Sequence, residues 1–294
     1  MHLFAEEWPL MMFTLLSQFA VGTYIMIIFI NNLMRKKSEY TSISESINTG
    51  LLVVSLVMGL SLIFSLFHLG DPMGAYRAVN NFATSWLSRE IVFAGFFFVL
   101  TVVTYYFYKK GSPNTILGMI TAAVGLLVIY SMASLYSSSI RPAWDHLNTF
   151  ITFFSTTLLF GATGSILIIS KGLMADQLPS TVQKIIKNIS VVAVLAVVVP
   201  IIYLPIFISS LTSGGVEAQQ SWQILSSNYG MLLTFRWILS MIGMGLLFFV
   251  FYKPTKKQIS FKYHLVALAF SVVFIGEFIG RYIYYAMAVS IGIG

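Results

Sequence analysis

The residues best equipped for chemistry in this sequence cluster at the ends of long apolar runs. The densest cluster is His68-Leu69-Gly70-Asp71-Pro72-Met73-Gly74-Ala75-Tyr76-Arg77, followed by Ser85-Trp86-Leu87-Ser88-Arg89-Glu90-Ile91. Gly70 and the Asp71-Pro72 pair end a helix, because proline supplies no backbone N–H and biases its predecessor away from helical dihedrals. His68 is then held at the rim of one helix while Glu90 opens the next. An imidazole, a carboxylate and the guanidinium groups of Arg77 and Arg89 meet at one level, a composition suited to handling protons. A plainer reading stands beside it. Ser88 caps the helix, Glu90 is a first-turn acid favoured by the helix dipole, and the arginines extend to lipid headgroups. Spacing alone leaves both open.

A second group is expected to lie deeper. Glu277 and Arg281 are one helical turn apart, which allows an intrahelical ion pair, and Arg236 follows Asn228-Tyr229-Gly230 by a short interval. These three are read as structural or site-supporting: an ion-pair network that locks neighbouring helices together. Tyr136 and the segment Arg141-Pro142-Ala143-Trp144 supply aromatic surface that can wall a pocket for a flat ring, although interface aromatics are the ordinary explanation for such residues.

The elements that position these groups follow from composition. Of 294 residues, 57% are hydrophobic and 9% are charged, against about a quarter charged in a soluble domain. Apolar runs of about 20 residues, enough to cross a hydrocarbon core, recur along the whole chain. The expectation is an all-α integral membrane protein: one transmembrane domain, 1–294, with eight spans near 9–34, 48–68, 90–108, 115–137, 147–170, 188–211, 229–252 and 264–289. A stretch around Pro179–Ile189 reads as a helix lying on the membrane surface. The opening segment is acidic, and the apolar run behind it is too long for a signal peptide, so the first span is expected to be retained.

Twelve of the seventeen basic residues, including every lysine, fall in the loops after spans one, three, five and seven. The positive-inside rule makes those loops cytoplasmic and turns both termini outward. The other side carries only Arg77, Arg89, Arg141, Arg236 and Arg281, with most of the acids. The formal charge of +7 is thus spent on topology, and no nucleic-acid partner is expected. The sequence has no cysteine, so it cannot hold an iron–sulfur cluster through thiolates or attach haem through a C-x-x-C-H motif.

With these residues in view, the chain resembles the membrane anchor subunit of the dimethyl sulfoxide reductase family of respiratory molybdoenzymes. The resemblance is carried by Glu7-Trp8-Pro9-Leu10-Met11, His68-Leu69-Gly70 with Pro72-Met73, Leu87-Ser88-Arg89-Glu90-Ile91, Pro142-Ala143-Trp144, Tyr229-Gly230 with Arg236, and Glu277-x-Ile279-Gly280-Arg281. It spans nearly the whole chain and implies eight spans with both termini outward. It further implies a multi-pass subunit of the bacterial cytoplasmic membrane that oxidises menaquinol and passes electrons to an iron–sulfur subunit serving a molybdopterin catalytic subunit. His68 and Glu90 fall on the positions associated with the quinol site in such proteins. The family has arginine after the Pro-Met pair where this sequence has Gly74; Arg77 is the candidate substitute.

The expected arrangement has His68 and Glu90 as catalytic groups, Arg77, Tyr136 and Arg89 as quinol-binding groups, and no metal or haem held by this subunit. Two other functions compete. A transporter or channel for a small anion would use the outer arginines as its approach field. A haem-bearing quinol-oxidising anchor would use His68 and His146 as axial ligands.

Overall fold

The computed structural model describes residues 2–38, 40–68, 80–172, 179–252 and 259–291. Nine α-helices occupy most of them: α1 (His2–Met34), α2 (Tyr40–His68), α3 (Trp86–Lys109), α4 (Thr115–Ser137), α5 (Leu147–Gly172), α6 (Ser180–Ser213), the short α7 (Val216–Gln223), α8 (Gly230–Tyr252) and α9 (Ile259–Ala286). A π-turn, Ile224–Asn228, joins α7 to α8. All but α7 are long and apolar enough to cross a membrane, which gives the expected eight spans. The described residues contain no strand.

Helix α1 is the centre of the bundle. Within its apolar window 83% of residues are buried, against 28 to 61% in the other seven spans. It packs on α2, α4, α5 and α9, while α8 pairs with α9 and α6 lies against α5 and α8. Contact between α1 and α5 rests on two glycines. A β-carbon on Gly161 would stand 2.5 Å from the carbonyl carbon of Gly22, so the two backbones meet only because neither residue carries a side chain.

A helix buried in lipid-facing neighbours must satisfy its polar side chains within the protein. Ser17 shares a 2.5 Å hydrogen bond with Ser61 of α2, and Tyr24 donates to Thr104 of α3 at 3.2 Å. Gln18 donates to the carbonyl oxygen of Phe153 of α5 at 3.1 Å, and Asn31 donates to the Tyr108 hydroxyl at 2.9 Å.

Three expectations about helix ends change. Helices α2 and α6 start about eight residues before the apolar runs that define their spans. The Pro179–Ile189 stretch does not lie on the surface as a separate element; from Ser180 it is the first part of α6. Val182, Ile185, Ile186 and Ile189 recur at helical spacing and are all buried, so the stretch packs on protein and continues into the span. Ser88 is not the cap of α3. Ser85 is, with an extended backbone and a side chain that accepts the Ser88 N–H at 3.4 Å, which moves Glu90 out of the first turn.

Candidate functional site

Two polar groups occupy the end of the bundle where α1 begins and α9 finishes. Glu90 anchors the first. It sits just over one turn into α3, 2% exposed, and its Oε2 is buried without a hydrogen bond from any described residue. A carboxylate oxygen taken out of water and left unpaired is costly, so such a group calls for a proton or a ligand. Its electrostatic neighbours are Tyr136, at the end of α4, and Tyr285, at the end of α9.

Those two tyrosines share a hydrogen bond of 2.5 Å between their hydroxyls. Tyr136 is packed edge-on against Trp144, Tyr284 and Tyr285 and is 5% exposed. Trp144 stacks on Tyr284 and donates its indole N–H to the Tyr284 carbonyl at 2.8 Å. The aromatic residues therefore form a closed plug between α4, α5 and α9. Tyr136 does not stand on an open wall, because its ring is consumed by this packing.

Arg89 points away from Glu90. It donates to the carbonyl oxygens of Phe82 at 3.0 Å and Ala83 at 2.7 Å, and its guanidinium lies 4.2 Å from the Trp86 ring centre. Its geometry ties down the turn before α3. Helix α2 ends at His68; the environment of its side chain, and the whole of Arg77, lie outside the described residues.

The second group is deeper and fully assembled. Arg236, six residues into α8, pairs through a terminal guanidinium nitrogen with both oxygens of Glu277 at 3.4 Å. Thr156 of α5 donates to Glu277 Oε2 at 2.6 Å. Arg281 does not pair with Glu277 on its own helix. It donates instead to Gln18 Oε1 at 2.7 Å and lies 3.9 Å from the Phe153 ring centre. Spacing within α9 permits the local pair, but helix packing offers Glu277 the α8 guanidinium and Arg281 the α1 amide. Gly280 makes room: a β-carbon there would stand 2.6 Å from Arg236 Cζ.

The pattern of the DMSO reductase anchor subunit (DmsC) matches residues 1–287. The protein belongs to that family. It is similar to the C subunit of the anaerobic dimethyl sulfoxide reductase of Haemophilus influenzae, 28% identical over 291 residues that cover 97% of this protein and 96% of the relative. It is also similar to two Escherichia coli proteins. The C subunit of the anaerobic dimethyl sulfoxide reductase there is 26% identical, covering 98% of this protein and 96% of the relative. The anaerobic dimethyl sulfoxide reductase subunit YnfH is 26% identical with the same coverage on both sides.

In this anchor subunit the structure brings together Glu90 with Tyr136, and Arg236 with Glu277. It separates Arg89 from Glu90 and Arg281 from Glu277. Sequence reasoning missed Gln18, Thr156 and Tyr285. Gln18 carried a usable signal, since a lone amide in the middle of an apolar span needs a partner on another helix. Tyr285 and Thr156 carried none, being ordinary residues in their local setting.

Outside the spans, His146 lies beside Tyr203 and Phe207 and accepts the Asn148 N–H at 3.2 Å through Nδ1. Burial pushes its imidazole below the usual histidine range, against the opposing pull of the Asp145 carboxylate.

Proposed function

We propose that this anchor subunit, in a bacterial cytoplasmic membrane, oxidises menaquinol beside Glu90 and His68. It passes the electrons to an iron–sulfur subunit, which relays them to a molybdopterin catalytic subunit. The observation that carries the reading is the Glu90 carboxylate, buried with an unpaired oxygen at the start of α3. Family membership supports the anchoring role, and the distribution of lysine supports an outward-facing site.

Quinol oxidation releases two electrons and two protons and leaves a quinone. The electrons go to the partner's acceptor. Glu90 Oε2 takes one proton from a ring hydroxyl and relays it outward, while His68 bonds the second ring oxygen and helps its proton leave. Protons and electrons released on the same side of the membrane make turnover electrically silent.

The test uses the intact complex. Glu90→Gln and His68→Ala are expected to abolish quinol-dependent turnover while an artificial reductant that feeds the iron–sulfur subunit directly still supports full activity. Unchanged quinol turnover in both variants would remove this assignment.

A further inference from the structure

Arg236, Arg281 and Glu277 are each at least nine-tenths buried, and together they leave one positive charge uncompensated. Glu90 is near Tyr136 and Tyr285 but pairs with neither guanidinium among the described residues. A guanidinium stays protonated, so burial cannot discharge it; a lone buried charge is strongly destabilising unless something answers it.

The hydrogen-bond count points the same way. Arg236 Nε, Arg281 Nε and Trp237 Nε1 are buried donors without acceptors, and all three residues line one cleft between α5, α6, α8 and α9. Both oxygens of Glu277 are already taken by Arg236 and Thr156. The cleft has surplus donors and surplus positive charge, and its one carboxylate, Glu277, has no oxygen left without a partner.

Its shape selects the ligand further. The cleft measures about 600 Å³ including its open mouth. Its interior has room for about three or four water molecules, enough for a phosphate-sized group. Thr152 of α5, Leu204 of α6, and Leu233 and Trp237 of α8 are its half-buried lining, so the mouth lies beside α6 where that helix faces α5 and α8. Pro200 and Pro205 remove two backbone donors from α6 at that level, and Pro200 forms part of the wall. Arg236 sits about 9 Å along α8 from its start. With 23 residues α8 is longer than a hydrocarbon core requires, so this depth is close beneath the headgroup boundary.

We propose that this cleft binds a phosphate monoanion, held by Arg236, Arg281 and Trp237. The chemistry is shared by two sources, the headgroup of an anionic phospholipid and free inorganic phosphate. In the first case an acyl tail leaves through the mouth beside α6. The site is independent of the quinol reading, and its test does not use turnover.

The complex is placed in nanodiscs of phosphatidylglycerol with phosphatidylcholine, or of phosphatidylcholine alone with inorganic phosphate in the buffer. Retained lipid is counted by native mass spectrometry, and thermal stability is followed against phosphate concentration. One phosphatidylglycerol per anchor subunit, retained over phosphatidylcholine, identifies the lipid source; stabilisation by phosphate in the second disc identifies the free ion. Trp237→Phe removes one donor without changing charge and is expected to weaken the site about tenfold. Glu277→Gln raises the local charge and is expected to tighten it, a direction that damage to the fold would not produce. No selective retention and no phosphate stabilisation, a quinone as the retained molecule, or an unchanged affinity in Trp237→Phe would each overturn the proposal.

Discussion

The hydroxyls of Tyr136 and Tyr285 lie 2.5 Å apart, although 149 positions separate them in the sequence. The bond closes α4 onto α9 directly beside Glu90. Replacing Tyr285 leaves the Tyr136 hydroxyl buried and unpaired, whereas Tyr285 keeps Thr14 as a second partner when Tyr136 is replaced. Tyr285→Phe is expected to lower stability by roughly 1–2 kcal/mol, and Tyr136→Phe by less, because Tyr285 still bonds Thr14. The double variant should cost clearly less than the sum, since the second change removes the orphan created by the first. Thermal unfolding of the four proteins in detergent measures the coupling; additive losses would mean that the bond contributes nothing.

Arg89 bonds to the two carbonyls of its own turn and covers Trp86. Arg89→Ala is therefore expected to leave quinol-dependent turnover near the wild-type level while weakening the start of α3 by roughly 1 kcal/mol. Hydrogen exchange at the first turn of α3 and a turnover assay on the same preparation separate the two effects. A collapse of turnover with an intact first turn would restore Arg89 to the reactive group.

Gly22 and Gly161 let α1 and α5 touch backbone to backbone. Gly161→Val forces the helices apart and should cost several kcal/mol, about 3 or more, because neither backbone can yield without breaking other contacts. Gly95, by contrast, has open space at its β-carbon position, so Gly95→Ala is expected to leave thermal stability at or above the wild-type value. Detergent melting temperatures of the two variants decide the matter.

His146 has its imidazole held below its ordinary value of 6.5, chiefly by burial. The unfolded protein then binds a proton that the folded protein resists. The stabilising effect of the neutral ring is fully present above about pH 6.5 and is lost as pH falls through the lower folded value. Protonation also displaces the Asn148 N–H from Nδ1. Asp145 and Arg141 share the adjoining cavity, and the Asp145 carboxylate opposes the effect of burial on the ring. His146→Phe keeps the contacts with Tyr203 and Phe207 but cannot be protonated. Its melting temperature should fall less than that of the wild type between pH 7 and pH 5.

The number of spans was legible because apolar length alone defines a crossing segment. Their ends were not. The polar first turns of α2 and α6 are stabilised by packing on other helices, as the buried Ile43, Ile47, Val182 and Ile185 show, and hydropathy does not register that. Glu90 stood out as an acid at a span end, whereas its closeness to Tyr136 depends on how α3 meets α4. For Glu277 the local rule named the wrong arginine. An i, i+4 pair contributes a few tenths of a kcal/mol, which tertiary placement of Arg236 and Gln18 easily outweighs. Arg236 and Arg281 stood out beside Glu277 as a deep charged group, whereas nothing local marks Trp237, which joins them only through the packing of α8.

The position of α1 sets the order in which this protein has to be built. Of the eight spans, the one translated before the other seven is the one most enclosed by the finished bundle. Its Gln18 bonds Arg281, a residue translated 263 positions later. Until α9 arrives, α1 waits in the bilayer with an amide and several hydroxyls facing hydrocarbon or provisional neighbours. A product cut short before α9 should present to the quality-control proteases of the membrane the surface that the full-length protein hides.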